Sequence, residues 1–175
     1  MHPSNQFARA CLSQSLIELM ETHDYNVISI TQIAQKAGVS RMTYYRNFNS
    51  KEDILKAYMD EIIAHYIEDI QKLPDNEGFQ DYSHIRHCLE YFKNYSSFVL
   101  CLAKANLTEI LLNGLNSYML YAGEADGASF AGKCRLYYYA GALYNVYMQW
   151  LKDGMREDLD VLAQIIYEQV HGSAG

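Results

Sequence analysis

Apolar residues recur at three- and four-residue spacing along most of this chain, the period of helices with one buried face. Ala8, Cys11, Leu12, Ser15, Leu16, Leu19 and Met20 form such a stripe and predict a helix over Asn5–His23. Asp24, Tyr25 and Asn26 read as a turn. Ser29, followed three residues later by Gln32, has the form of a capping box. It opens a short helix with Ile33, Ala34 and Ala37 inward, which Gly38 ends with a positive φ. Val39 packs inward, and Ser40 caps a second short helix, Arg41–Phe48. Asn49 and Ser50 form a break, and Lys51 opens a long helix to about Lys72 that can bury Ile54, Leu55, Tyr58, Ile62, Tyr66 and Ile70.

Pro74–Phe79 reads as a linker. Helices are expected over Asp81–Asn94, up to about Ala103, over Asn106–Ala122, over Ala128–Leu151 and over Arg156–His171. Gly123–Gly127 is a turn, and Asp153 with Gly154 stops the longest helix. No strand alternation of useful length interrupts this pattern, so the expected fold is all-α with about nine helices. Only two prolines, Pro3 and Pro74, occur in 175 residues, in keeping with long helices.

An apolar fraction of 50% with 20% charged residues describes a chain that folds around a core. No run of 18 apolar residues predicts a membrane span. The segment Met1–Arg9 lacks the apolar run of a signal peptide, which leads to the expectation of a cytoplasmic location. Cys11, Cys88, Cys101 and Cys134 form no CxxC pair and are expected to be buried free thiols. His65, His84 and His87 lack the spacing of a metal cluster, so neither metal nor cofactor is expected.

Charge is divided unevenly. The net charge is -7 overall, yet residues 1–50 hold four Lys/Arg against three Asp/Glu. The acidity belongs to residues 51–175, and a binding surface answers to its local field. The two short helices have helix-turn-helix proportions, and an α-helix fits the major groove of DNA. Arg41 and Thr43 are the candidates for base edges, Tyr44 for phosphate and sugar, and Ser40 for a phosphate at the helix start. Tyr45 and Phe48, three residues apart, are expected to face inward. Lys51, at the next helix start, is placed for phosphate, and Ser29, Thr31, Arg46 and Asn47 complete the candidate DNA-binding set.

The stretch from Ile33 to Leu55 resembles the signature of the TetR/AcrR family of bacterial transcriptional regulators. The resemblance rests on Ile33-Ala34, Ala37-Gly38-Val39-Ser40, Thr43, Tyr45, Phe48, Lys51 and Leu55. It implies recognition-helix roles for Arg41, Thr43, Tyr44 and Arg46 and a phosphate role for Lys51. Tyr44 stands where many members carry Phe. The segment Tyr137–Gly154 is similar to the penultimate helix of a subgroup that includes regulators of dihydroxyacetone kinase operons. The implied division is a DNA-binding domain over 1–50 and a ligand-binding and dimerisation domain over 51–175.

In that second part, Gly141, Tyr144, Asn145 and Met148 share one helical face, while Leu136, Ala140, Leu143, Tyr147 and Leu151 share another. Two apolar faces suit a helix that serves its own core and a partner, so the first set is the candidate dimer interface. Tyr91, Tyr95, Phe98, Leu102, Leu111, Tyr118 and Tyr138 are the candidates to line an apolar pocket with hydroxyls. The pocket itself is implied by the resemblance. No catalytic motif is found, and an enzyme is not expected. The expectation is a homodimeric repressor on a palindromic double-stranded DNA operator, released by a small-molecule inducer, with no membrane partner. The alternatives are a regulator of this type controlled by a partner protein or by expression, and a helical interaction module that binds no DNA.

Overall fold

The computed structural model describes residues 3–72, 78–123 and 128–172. Among the described residues there are nine helices and no strand. They are α1 (Pro3–Thr22), α2 (Ile30–Lys36), α3 (Arg41–Asn47), α4 (Lys51–Ile70), α5 (Tyr82–Lys93), α6 (Ser96–Lys104), α7 (Glu109–Ala122), α8 (Phe130–Lys152) and α9 (Leu159–His171). The expected linker at 74–79 and turn at 123–127 lie largely outside the described residues.

The chain forms two compact units. The first comprises the residues up to Ile62 together with Ser97–Ile110; the second comprises Ile63–Ser96 and the residues from Leu111 onward. This grouping differs from a division after residue 50. Helix α4 runs unbroken from Lys51 to Ile70, and its residues up to Ile62 pack within the first unit. Tyr58 of α4, for example, meets Phe98 of α6 edge-on at 4.9 Å.

In the first unit, α1, α2 and α3 contact one another pairwise. Leu12, Leu16, Ile33, Tyr44, Ile54 and Leu55 are fully buried there. In the second unit, α5 packs on α9. Its interior is rich in tyrosine. Tyr66 is 1% exposed, and its ring lies 4.9 Å from Tyr118, 5.0 Å from Tyr91 and 5.8 Å from Phe92. Buried Tyr and Trp need partners for their polar ends. Tyr147 donates to the Phe92 carbonyl at 2.9 Å, Tyr139 to that of Phe79 at 3.3 Å, and Trp150 Nε1 to that of Glu157 at 3.1 Å.

Helix ends follow local rules. The α2 N-terminus carries the reciprocal box, with Ser29 N donating to Gln32 Oε1 at 2.8 Å and Gln32 N donating to Ser29 Oγ at 3.2 Å. Gly38 has φ +67°, and Val39 N reaches back to the Ala34 carbonyl at 3.0 Å, which closes the helix as a Schellman turn. Ser50 and Asp53 cap α4 reciprocally: Asp53 N donates to Ser50 Oγ at 3.0 Å, and Asp53 Oδ2 accepts from Ser50 N at 3.1 Å. Gly123 meets a different need. A Cβ there would stand 2.5 Å from Leu136 Cδ2, so the end of α7 approaches α8 closely only without a side chain.

Candidate nucleic-acid interface

Helix α3 is seven residues long, so side-chain phase decides what it offers outward. At 100° per residue, Arg41, Met42, Tyr45 and Arg46 fall on one side, and Tyr44, Asn47 and Phe48 on the other. Burial follows this division. Tyr44 is 0% exposed and Phe48 is buried, whereas Met42 is 63% and Tyr45 57% exposed. Arg41 and Arg46 are exposed. The expected roles of the two tyrosines are therefore exchanged. Tyr44 is a core residue, its ring 5.3 Å from that of Tyr45 and 6.5 Å from that of Phe48. Its hydroxyl is buried with no hydrogen-bond partner among the described residues, and burial pushes its pKa up to about 12. Tyr45 presents the exposed ring and hydroxyl.

Ser40 Oγ accepts from Thr43 N at 3.1 Å and lies 3.0 Å from Thr43 Oγ1. Both hydroxyls thus serve the α3 N-terminus, and Thr43 is half-buried. Asn47 turns inward, with Nδ2 donating to the Thr43 carbonyl at 2.8 Å. Ser29 and Thr31 are exposed at the start of α2. Nearby Lys36 pairs with Glu18 at 2.8 Å, so it is partly neutralised. Among the described residues, Arg41 and Arg46 form no ion pair, which leaves two cations on the outward face of α3.

Lys51 is not a free surface cation. Its ammonium donates to the carbonyls of Tyr25 and Ile28 and lies 4.3 Å over the Tyr25 ring. Loss of solvent around it lowers its pKa. Two of its three donors tie the start of α4 to the turn between α1 and α2, and one remains for a phosphate. A second cation was missed in the sequence. Arg9 of α1 donates from Nη1 to the Asn47 carbonyl at 3.0 Å and covers the Phe48 ring at 4.4 Å. It lies 38 residues from its partner, and no local pattern marks it.

In the second unit, the expected pocket is not assembled. Tyr138 is 81% exposed, because it lies on the side of α8 opposite Leu136, Ala140 and Leu143. Phe98 and Leu102 are buried and belong to the first unit, whereas the other candidates belong to the second. Leu111 and Tyr118 are buried, and Tyr91 and Tyr95 are half-buried with hydroxyls 3.4 Å apart. A cavity of about 20 Å³, lined by Cys88, Leu89, Phe92, Leu111, Leu115, Leu143 and Tyr147, is present instead. That is room for about one water. In the first unit, a polar cleft of about 220 Å³ lies where α1 and α6 end, at His23, Asp24 and Lys104.

On α8 the inward face is Leu136, Ala140, Leu143, Tyr147 and Leu151, all buried. Met148 is also buried, at 6% exposure, so it belongs to the core and not to the outward set. Gly141 and Tyr144 are half-buried and Asn145 is exposed, and a Cβ on Gly141 would meet nothing within 4 Å. Cys88 and Cys101 are buried as expected, but Cys11 is only half-buried and Cys134 is exposed on the outward side of α8. All four are free thiols. Among the described residues, no helix is long and apolar enough to cross a membrane. No cluster of three His, Cys, Asp or Glu among them could hold a metal ion.

Residues 15–58 match the family of bacterial regulatory proteins, tetR family. The HTH-type transcriptional regulator EthR of Mycolicibacterium smegmatis is 29% identical over 92 residues, 53% of this chain and 42% of that protein. The chain thus spans less than half the length of this relative. The fold is that of FadR from Bacillus subtilis, solved in complex with stearoyl-CoA, with TM-score 0.64, 17% identity, and coverage of 95% of this chain and 99% of the other. The dihydroxyacetone kinase operon activator DhaS has the same fold, with TM-score 0.64, 20% identity and 93% of each chain covered. The capped helix-turn-helix lies inside the segment that matches the family of bacterial regulatory proteins, tetR family.

Proposed function

We propose that this protein is a sequence-specific DNA-binding transcriptional regulator that acts as a homodimer on a palindromic operator. The observation that carries the reading is the outward face of α3. Arg41, Met42, Tyr45 and Arg46 project from a helix held at both ends, while Tyr44 and Phe48 anchor it from behind. A helix presented this way fits the major groove. Arg41 is the candidate for guanine edges, and Arg46 and the Tyr45 hydroxyl suit backbone phosphates. Ser29, Thr31 and the last donor of Lys51 lie at helix starts, where phosphates are held.

Two copies are needed to read a palindrome, with recognition helices about 34–36 Å apart. The outward sides of α8 and α9 suit the two-fold contact. Tyr137, Tyr138, Val161 and Ile165 are exposed there, and Gly141 allows close helix approach. Such a regulator acts in the cytoplasm, as a repressor by the family's habit, and has no catalytic role.

Control by a small molecule requires more room than the cavity beside Cys88 and Tyr147 offers. Ligand sites run to roughly 300 Å³ and more, against about 20 Å³ here. An inducer would have to open the tyrosine-rich interior. So small a cavity favours the second reading, a regulator controlled by a partner protein or by its own abundance.

The test is selection of duplex fragments from a random-sequence DNA library by the purified protein at physiological salt. A recovered palindrome is the expected result. No enrichment by folded, dimeric protein would overturn the proposal.

A further inference from the structure

A helix of seven residues is marginal by itself, since nucleation is costly and each end leaves backbone groups unpaired. Beyond the packing of Tyr44 and Phe48 behind it, what holds α3 is therefore what holds its ends. Its N-terminus is closed from within, by Ser40 Oγ on Thr43 N. At its C-terminus Asn47 Nδ2 covers the Thr43 carbonyl from within, and a further bond comes from elsewhere. Arg9, one turn before the Leu12 and Leu16 stripe of α1, donates Nη1 to the carbonyl of Asn47, the last residue of α3, at 3.0 Å. The same guanidinium lies 4.4 Å over the ring of Phe48, the next residue in the chain. A cation at a helix C-terminus is favourably placed in the field of the helix dipole. A planar guanidinium can also stack and donate at once, which an ammonium does less well. Arg9 is half-buried and faces the end of α3 rather than its outward side.

We infer that Arg9 is a positioning residue for DNA recognition, setting the pose of α3 from α1 without touching DNA. The inference rests on the reading of α3 as the recognition helix. It follows that Arg9 governs discrimination between sequences more than attraction to DNA. A misplaced recognition helix loses its base contacts, while contacts to the backbone, which carry the salt dependence, largely survive.

The experiment compares wild type with Arg9→Ala and Arg9→Lys, using two probes: a duplex recovered by wild type from the random library, and a scrambled duplex of equal length. Hydrogen exchange of the backbone amides is measured on the same DNA-free proteins. For Arg9→Ala the expected loss on the recovered duplex is on the order of tenfold, the scale of one hydrogen bond to a charged group. Affinity for the scrambled duplex and its salt slope should not change. Amides of residues 44–48 should exchange faster, with those of the α4 interior unaffected. Arg9→Lys should restore only part of the discrimination, because it returns the charge without the stacked fork.

Equal losses on both duplexes, with a slope lowered by about 0.9, would make Arg9 a phosphate contact and overturn the inference. So would unchanged exchange at residues 44–48, or unchanged discrimination in folded Arg9→Ala. Failure of wild type to recover any duplex would instead overturn the functional reading, and the exchange result would still report whether Arg9 holds α3.

Discussion

Lys51 Nζ donates to the backbone carbonyl of Ile28 at 2.8 Å, across 23 residues of sequence. With its second bond, to the Tyr25 carbonyl, it pins the turn that leads into α2. Replacing it by Met would leave two carbonyls without their donor and the Tyr25 ring without its cation. Lys51→Met is expected to lower unfolding stability by about 1–3 kcal/mol. Denaturant titration checks this. A slope on scrambled DNA lower by about 0.9 is expected if its remaining donor holds a phosphate, and an unchanged slope would make the residue structural only.

Adjacent tyrosines should separate stability from binding. Tyr44→Phe removes a buried hydroxyl that has no partner among the described residues and fills the same space. It should raise stability by about 1 kcal/mol and leave DNA affinity unchanged. Tyr45→Ala removes an exposed side chain, so stability should barely move, while affinity should fall on operator and scrambled DNA alike. The reverse pattern, read by thermal melts and fluorescence anisotropy, would restore the roles expected from the sequence.

Outward and inward residues of α8 make an independent pair. Gly141→Gln adds bulk where the single chain has open space, and should dissociate the dimer with little loss of protomer stability. Met148→Ala should cost about 2–4 kcal/mol in the core and leave the dimer constant unchanged. Sedimentation velocity with melting curves distinguishes the two.

The contact of α5 with α9 should be acid-sensitive. Arg86 donates to Asp160, and this bond, with the guanidinium charge, holds the Asp160 carboxyl below its usual value of 3.8. A depressed folded pKa contributes stability above the unfolded value, and that contribution is lost as pH falls through the folded one. Asp160→Asn should therefore flatten part of the decline in melting temperature below about pH 4. An acid limb identical to wild type would remove Asp160 from that role.

Helix starts were legible because capping is a contract between residues three apart. Ser29 with Gln32, and Ser40 with the amide of Thr43, are found as read, and so is the positive φ of Gly38. The phase of α3 was not legible. Tyr45 stands three residues before Phe48 and Tyr44 four, and both spacings place a pair on one helical side. Which residues could share a pocket was not legible for a related reason. Apolar periodicity says that a residue is buried but not among which others, so Phe98 and Leu102 were grouped with residues of the other unit.

The sequence by itself determined the all-α class, the order of the helices, the helix-turn-helix segment and the family resemblance of that segment, because each rests on periodicity, capping or short motifs within a few tens of residues. Only the tertiary structure decided that Tyr44 is core and Tyr45 is surface, that Lys51 and Arg9 serve backbone carbonyls, that Met148 faces inward and Cys134 outward, and that the cavity beside Cys88 in the second unit holds only about 20 Å³. Each of those depends on which distant side chains occupy the space beside a residue, and a helix with two usable faces does not settle that alone.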